Sequence, residues 1–348
     1  MTTPWRDPNS FNEGSWGRGE PSPEQEHYRD PVAESMRISD LVAPTKIKPE
    51  SGWRKFLYNL SFKTINPGES PRERHYRELK ATIGRHIRRQ YVVTFVSGKG
   101  GTGVTTLTAA LGAAFRVSRP QNSPVVAIDA VPGFGTLADR IDERPPGDYA
   151  SIIEDTDVQG YNDIREHLGR NGDGLDVVAG NRTSDMARPL VPAAFDAVMG
   201  RLRRTHDVML IDTAHDLEHP VMKSVLANTN TLVFVSGITP DSSKPVMRAL
   251  DYLNSQDYQE LVSRSMVIIN YTSDVVDKKA EEFLIKRFAL TGATVEVMPF
   301  DPYLARGGII DVQDERRTEL RKKAHLRLFE IAAKLAEKYV PETGGFAQ

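Results

Sequence analysis

The 348-residue chain contains no cysteine. Disulfides, thiol catalysis and cysteine-ligated metal are therefore excluded, which suits the cytosol. It also lacks any apolar run near the roughly 18 residues that a membrane-crossing helix needs. The opening MTTPWRDPNS has none of the basic-then-apolar order of a signal peptide. Charge of one sign is missing too: the formal net charge is −2, so no global field draws the chain to nucleic acid or lipid. The cytoplasm is the expected compartment, with any stay at the inner membrane made through a partner.

Organisation is uneven along what remains. Residues 1–50 are rich in Pro, Gly, Ser and charge without a sustained period, the composition of a disordered tail. Trp5 and Trp16 stand alone there, as chance exposure or as anchors for a partner. Residues 51–90 form a basic extension. Arg54, Lys55, Lys63, Arg72, Arg74, Arg77, Lys80, Arg85, Arg88 and Arg89 outnumber Glu69, Glu73 and Glu78. Ser70-Pro71-Arg72-Glu73 is a capping box with proline at the first helical position, so a helix is predicted from Pro71 to about Arg88. Trp53, Phe56, Leu57 and Leu60 predict a shorter apolar-faced helix before it. The basic stretch over 51–91 reads as a solvated helix packed on the main domain; its rival use is as a surface for DNA or anionic lipid.

Residues 91–342 alternate strands and helices, which predicts an α/β, doubly wound, mostly parallel sheet. YVVTFVS, PVVAIDA, GLDVVAG, HDVMLIDT, TLVFVSG, SMVIINY and TVEVMPF are its seven predicted strands. A helix is predicted from about Thr105 to Val117. A long C-terminal one is predicted from Asp314 to about Val340, with Leu328, Ala332, Leu335 and Tyr339 on its apolar face.

The chemistry sits after the first strand, in VSGKGGTGVTT. The phosphate-loop frame G-x-x-x-x-G-K-[ST] is met by Gly98, Gly103 and Thr105, but Val104 holds the lysine position. Lys99 stands five residues early. Gly98, Gly100 and Gly103 also satisfy G-x-G-x-x-G, with Asp129 where a ribose-binding acid would lie, so a dinucleotide-binding oxidoreductase is the rival. Three features favour the phosphate loop. Thr105-Thr106 follows the last glycine, where a magnesium hydroxyl belongs. HDVMLIDT ends in Asp212, the form of a strand whose terminal carboxylate holds magnesium. VIINY ends in Asn270, whose amide can read an adenine edge. His215 and His219 are spaced i,i+4, but Pro220 argues against a shared helix and a metal site needs a third ligand. His206 reads as a turn residue.

Lys99-Gly100-Gly101-Thr102-Gly103 resembles the deviant Walker A motif of the MinD/ParA ATPases. The resemblance covers about 91–340. It implies a P-loop NTPase fold, ATP and Mg2+ as cofactors, and a nucleotide-sandwich homodimer. It also implies roles residue by residue. Gly98, Lys99, Gly100, Gly101, Thr102, Gly103, Val104, Thr105 and Thr106 line the phosphates. Asn270, Pro299, Phe300 and Asp301 surround adenine. Thr105, Asp129 and Asp212 serve the metal. Lys99 is the signature lysine that reaches the partner subunit's phosphates. Narrower likeness, in GWRKF, INPGESPRERHYREL, DAVPGFGTLADR and PFDPYLARGGIIDV, is to the EspI-like group of actinobacterial type VII secretion; CpaE/TadZ proteins are related. A secretion-machinery protein is the implied partner.

Two departures from that family bear on catalysis. Val104 omits an ammonium worth up to roughly 4 kcal/mol at 4 Å and an effective dielectric of 20, before desolvation. The family motif D-x-D becomes Asp129-Ala130-Val131, so the water-positioning carboxylate is absent. Hydrolysis is expected to be slow or absent and nucleotide binding weakened, as befits a switch or scaffold. A DNA-binding partition protein and a nucleotide-free pseudo-ATPase interaction module are the alternatives.

Overall fold

The computed structural model describes residues 48, 52–61, 68–180, 190–213, 216–313 and 319–339. The predicted tail apart from residue 48, His215, and residues 314–318 at the start of the predicted C-terminal helix lie outside them. Two units divide at Glu69/Ser70. In the first, Gly52–Leu60 is a helix, as its apolar spacing predicts, with Phe56 and Leu60 exposed one turn apart.

The second unit is built on an eight-stranded sheet: β1 (Tyr91–Ser97), β2 (Val125–Asp129), β3 (Gly169–Arg170), β4 (Asp176–Val178), β5 (Val208–Asp212), β6 (Thr231–Ser236), β7 (Met266–Asn270) and β8 (Thr294–Met298). Their order is β3-β4-β2-β5-β1-β6-β7-β8. Every pairing is parallel except β3–β4. The central strands are continuous apolar runs because helices cover both faces. Within β1, Val93 and Phe95 enter one core and Val92 and Val96 the other, as the period of two requires. The two-residue β3 adds one strand to the seven predicted; GLDVVAG itself contributes β4.

Because these strands are parallel, β1, β2, β5 and β7 deliver Ser97, Asp129, Asp212 and Asn270 to one edge. The chain leaves β1 toward β2 on one side and later returns to β6 on the other. That reversal opens a crevice at the carboxyl ends, where such sheets take ligands.

The helix after β1 spans Val104–Ser118. The capping-box helix is Pro71–Ile83, with Ser70 and Glu73 exchanging both expected bonds. It ends five residues before the predicted Arg88, with Gly84 as its C-cap against the Ser118 carbonyl; a Cβ there would stand 2.5 Å from that oxygen. Its Tyr76 packs edge-on to Phe329 of the C-terminal helix, ring centroids 4.7 Å apart. The C-terminal helix runs Lys322–Glu337, shorter than its predicted span. Asp301 fixes the start: its Oδ2 accepts the Arg321 N–H at 2.9 Å, holding Arg321 extended at the N-cap.

Candidate functional site

The loop at 98–103 is bent by its own side chains. Ser97 Oγ and Thr102 Oγ1 both donate to the Lys99 carbonyl, at 2.9 and 3.4 Å. Two glycines are obligatory there. Gly98 lies against the Pro240–Ser255 helix, where a Cβ would come within 2.3 Å of Pro245 Cβ. Gly103 adopts φ +93°, and a Cβ there would stand 2.4 Å from Asn270 Nδ2. Asn270 uses that nitrogen to brace the loop, donating to the Thr102 carbonyl at 2.8 Å.

The following helix begins at Val104 without a side-chain cap and without an acid in its first turn. Its first i→i−4 bond is Leu107 N–H to Gly103, 2.9 Å. The N–H groups of Val104, Thr105 and Thr106 thus have no acceptor within the helix, and its positive end is uncompensated. They open on a cleft of about 430 Å³, of ligand-pocket size. Of the sequence-predicted residues, Gly100, Gly101, Gly103, Val104, Thr105, Thr106, Asn270, Pro299, Phe300 and Asp301 line it. Gly98, Lys99 and Thr102 do not. Val104 is 8% exposed and joins the apolar core at the helix start.

Beneath the loop lie the two acids. Register puts Asp129 directly beside Asp212 on neighbouring strands. Asp129 is satisfied: Oδ1 accepts the Val131 N–H and Oδ2 the Leu137 N–H, each at 3.1 Å, so it folds the loop that follows β2. Asp212 is not. Both its oxygens are buried and, among the described residues, neither has a hydrogen-bond partner. Burial pushes Asp129 up to about 6. Burial and then the Asp129 charge push Asp212 well above the carboxylate range, with the Thr105 side chain pulling the other way. A buried, unpartnered carboxylate is costly unless a cation answers it. Asp212 and the Thr105 hydroxyl therefore fit the magnesium that the resemblance implies; each Asp129 oxygen already accepts one backbone N–H and keeps a second lone pair toward the same ion. Among the described residues no group of three or more His, Asp or Glu is placed to hold a metal ion.

Lys99 ion-pairs with Asp241, in the first turn of the Pro240–Ser255 helix, and is not part of the cleft lining. The Lys99 hydrogen bond is the main cause that lowers Asp241 to about 2. Sequence reasoning missed Asp241, and it missed Arg140, Thr136, Tyr271, Thr272 and Leu304 in the cleft wall. DAVPGFGTLADR carried Arg140 and Thr136 only as part of a likeness. His219 is the N-cap of the Pro220–Ala227 helix, its Nδ1 accepting the Val221 N–H at 3.2 Å. His206 is a buried partner of Asp176 at 3.3 Å, more than a turn residue.

Sheet order, glycine loop and crevice define the chain as having the MinD/ParA-type P-loop NTPase fold. It is similar to the ParA family ATPase of Chlorobium tepidum TLS, with TM-score 0.56 and 19% identity over 72% of this chain and 98% of that one. MinD of Pyrococcus horikoshii OT3, solved with Mg-ADP, gives 0.53 and 18% over 72% and 99%. In sequence the chain is 31% identical over 296 residues to the ESX-1 secretion-associated protein EspI of Mycobacterium tuberculosis H37Rv. That match covers 84% of this chain and 43% of EspI, so the chain spans less than half of that relative. No family model matches the chain.

Proposed function

We propose that this protein binds ATP with Mg2+ in the cleft and serves as a weakly or non-hydrolysing dimeric switch or scaffold for a type VII secretion machine. The observation that carries the nucleotide reading is the unpartnered Asp212 beneath an uncapped helix start. Converging N–H groups and the helix dipole favour phosphates there. Thr105 and Asp212 would hold the ion, which supplies charge neutralisation on the phosphates when bound. Slow hydrolysis follows from Val131, which offers no carboxylate to orient water, and from Val104. The secretion assignment rests on the likeness to EspI.

A calorimetric titration of the full chain with ATP, ADP and NADPH, with and without Mg2+, tests the reading. Magnesium-dependent binding of ATP over NADPH is expected. No binding at millimolar ATP, or a preference for NADPH, overturns it, and turnover within seconds overturns the slow-switch part.

In the dimer reading Lys99 must leave Asp241 before it can reach a partner's phosphates. Asp241→Asn removes the catch and should raise the dimer fraction at a fixed ATP concentration, as read by sedimentation. An unchanged fraction would show that this ion pair does not gate assembly.

A further inference from the structure

One cation in the cleft wall, Arg140, has no ion-pair partner among the described residues. Arg140 closes the short turn Ala138–Arg140. Its Nη2 donates to the Thr106 hydroxyl at 2.7 Å and its Nη1 to the Leu304 carbonyl at 3.3 Å. Both acceptors are neutral. Among the described residues it makes no ion pair, and burial pulls its guanidinium below the usual range, with only the neighbouring Asp139 acting the other way. A half-buried guanidinium that spends two donors on neutral oxygens keeps three more, in a fork matched to phosphate.

Its position is specific. Thr106 belongs to the uncapped first turn of the Val104–Ser118 helix, and Leu304 to the wall that contains Pro299 and Phe300. The guanidinium therefore bridges the helix start and that wall, inside the cleft that Val104 leaves without an ammonium. We infer that Arg140 binds the phosphates of the nucleotide and supplies, from the opposite wall, the positive charge that the loop omits. This deepens the proposed nucleotide site and rests on it.

The test is a titration of wild type, Arg140→Gln, Arg140→Lys and the double variant Arg140→Gln/Val104→Lys with Mg-ATP, Mg-ADP and adenosine, after melting curves confirm folding. Arg140→Gln should weaken ATP and ADP roughly tenfold to a hundredfold, the size of a lost charged hydrogen bond, and leave adenosine unchanged. Arg140→Lys should keep most of the affinity, and the double variant should recover it. Equal ATP affinity in wild type and Arg140→Gln overturns the inference alone. Equal losses for ATP and adenosine overturn it too, because they mark a structural role. If wild type binds no nucleotide, the inference and the proposed function fall together. Arg140→Met serves as the neutral variant should the glutamine form not fold.

Discussion

Asp212→Asn should make the nucleotide-free protein more stable and abolish the extra stability expected from Mg-ATP in the proposed site. Asp212 is 1% exposed, its oxygens have no hydrogen-bond partner among the described residues, and Asp129 is its neighbour across the β2–β5 pair. Its carboxyl is pushed well above the ordinary range by burial and by that neighbour. A carboxylate whose folded pKa is raised binds its proton more tightly folded than unfolded, so stability falls as pH rises from about 4. Asparagine has the same shape and no charge. The gain should be near zero at pH 4 and grow toward pH 8, where about 1–3 kcal/mol is expected, or a rise of several degrees in Tm. Saturating Mg-ATP at a hundredfold its Kd adds about 2.7 kcal/mol to wild type, and Asp212→Asn should lose the magnesium-dependent share. Melting curves across pH, with and without Mg-ATP, give both readings. A variant less stable than wild type at pH 8 would mean that Asp212 has a cationic or donor partner after all.

The second large effect concerns turnover. Val104→Lys should tighten ATP by roughly tenfold, less than the Coulombic ceiling because the new ammonium must shed water. It should also lower the Tm of the nucleotide-free form, since Val104 packs into the core at the helix start. Hydrolysis should stay slow in that variant. Adding Val131→Asp restores the carboxylate that the loop lacks. The backbone there is already fixed, because the Val131 N–H donates to Asp129. The double variant should hydrolyse ATP roughly a hundredfold to ten-thousandfold faster than wild type, the usual worth of a positioned acid-base group. Phosphate release under single-turnover conditions measures it. Unchanged release would show that the missing groups at 104 and 131 are not what limits the reaction.

Much of this site was legible in the chain because strand ends are legible. An apolar run that stops at an acid places that acid at the carboxyl edge of a parallel sheet, so Asp129 and Asp212 could be found without knowing which strands are neighbours. Their direct adjacency could not, since register is a property of pairing. The glycine frame located the loop for a similar reason: its spacing is local. Arg140 was hidden because its meaning depends on two partners, Thr106 and Leu304, that are 34 and 164 residues away in sequence. Asn270 was read as a base-reading amide, yet its nitrogen is committed to Thr102, a contact made only when β7 lies beside the loop. The two-residue β3 is too short to leave a period. The late start of the C-terminal helix follows from Asp301 capturing the Arg321 N–H, again a partner distant in sequence.

Pro245 gives the Pro240–Ser255 helix an uneven stiffness. A proline has no N–H, so the Asp241 carbonyl one turn earlier loses its rung in the ladder. The missing rung lies in the turn that carries the hook for Lys99, while the proline ring itself is wedged against Gly98. The latch is thus mounted on a pliable end and the fulcrum on a rigid body. A pull on the outer turn can swing Asp241 clear without disturbing the loop's footing, so in the proposed switch unhooking the lysine need not cost the grip on phosphate.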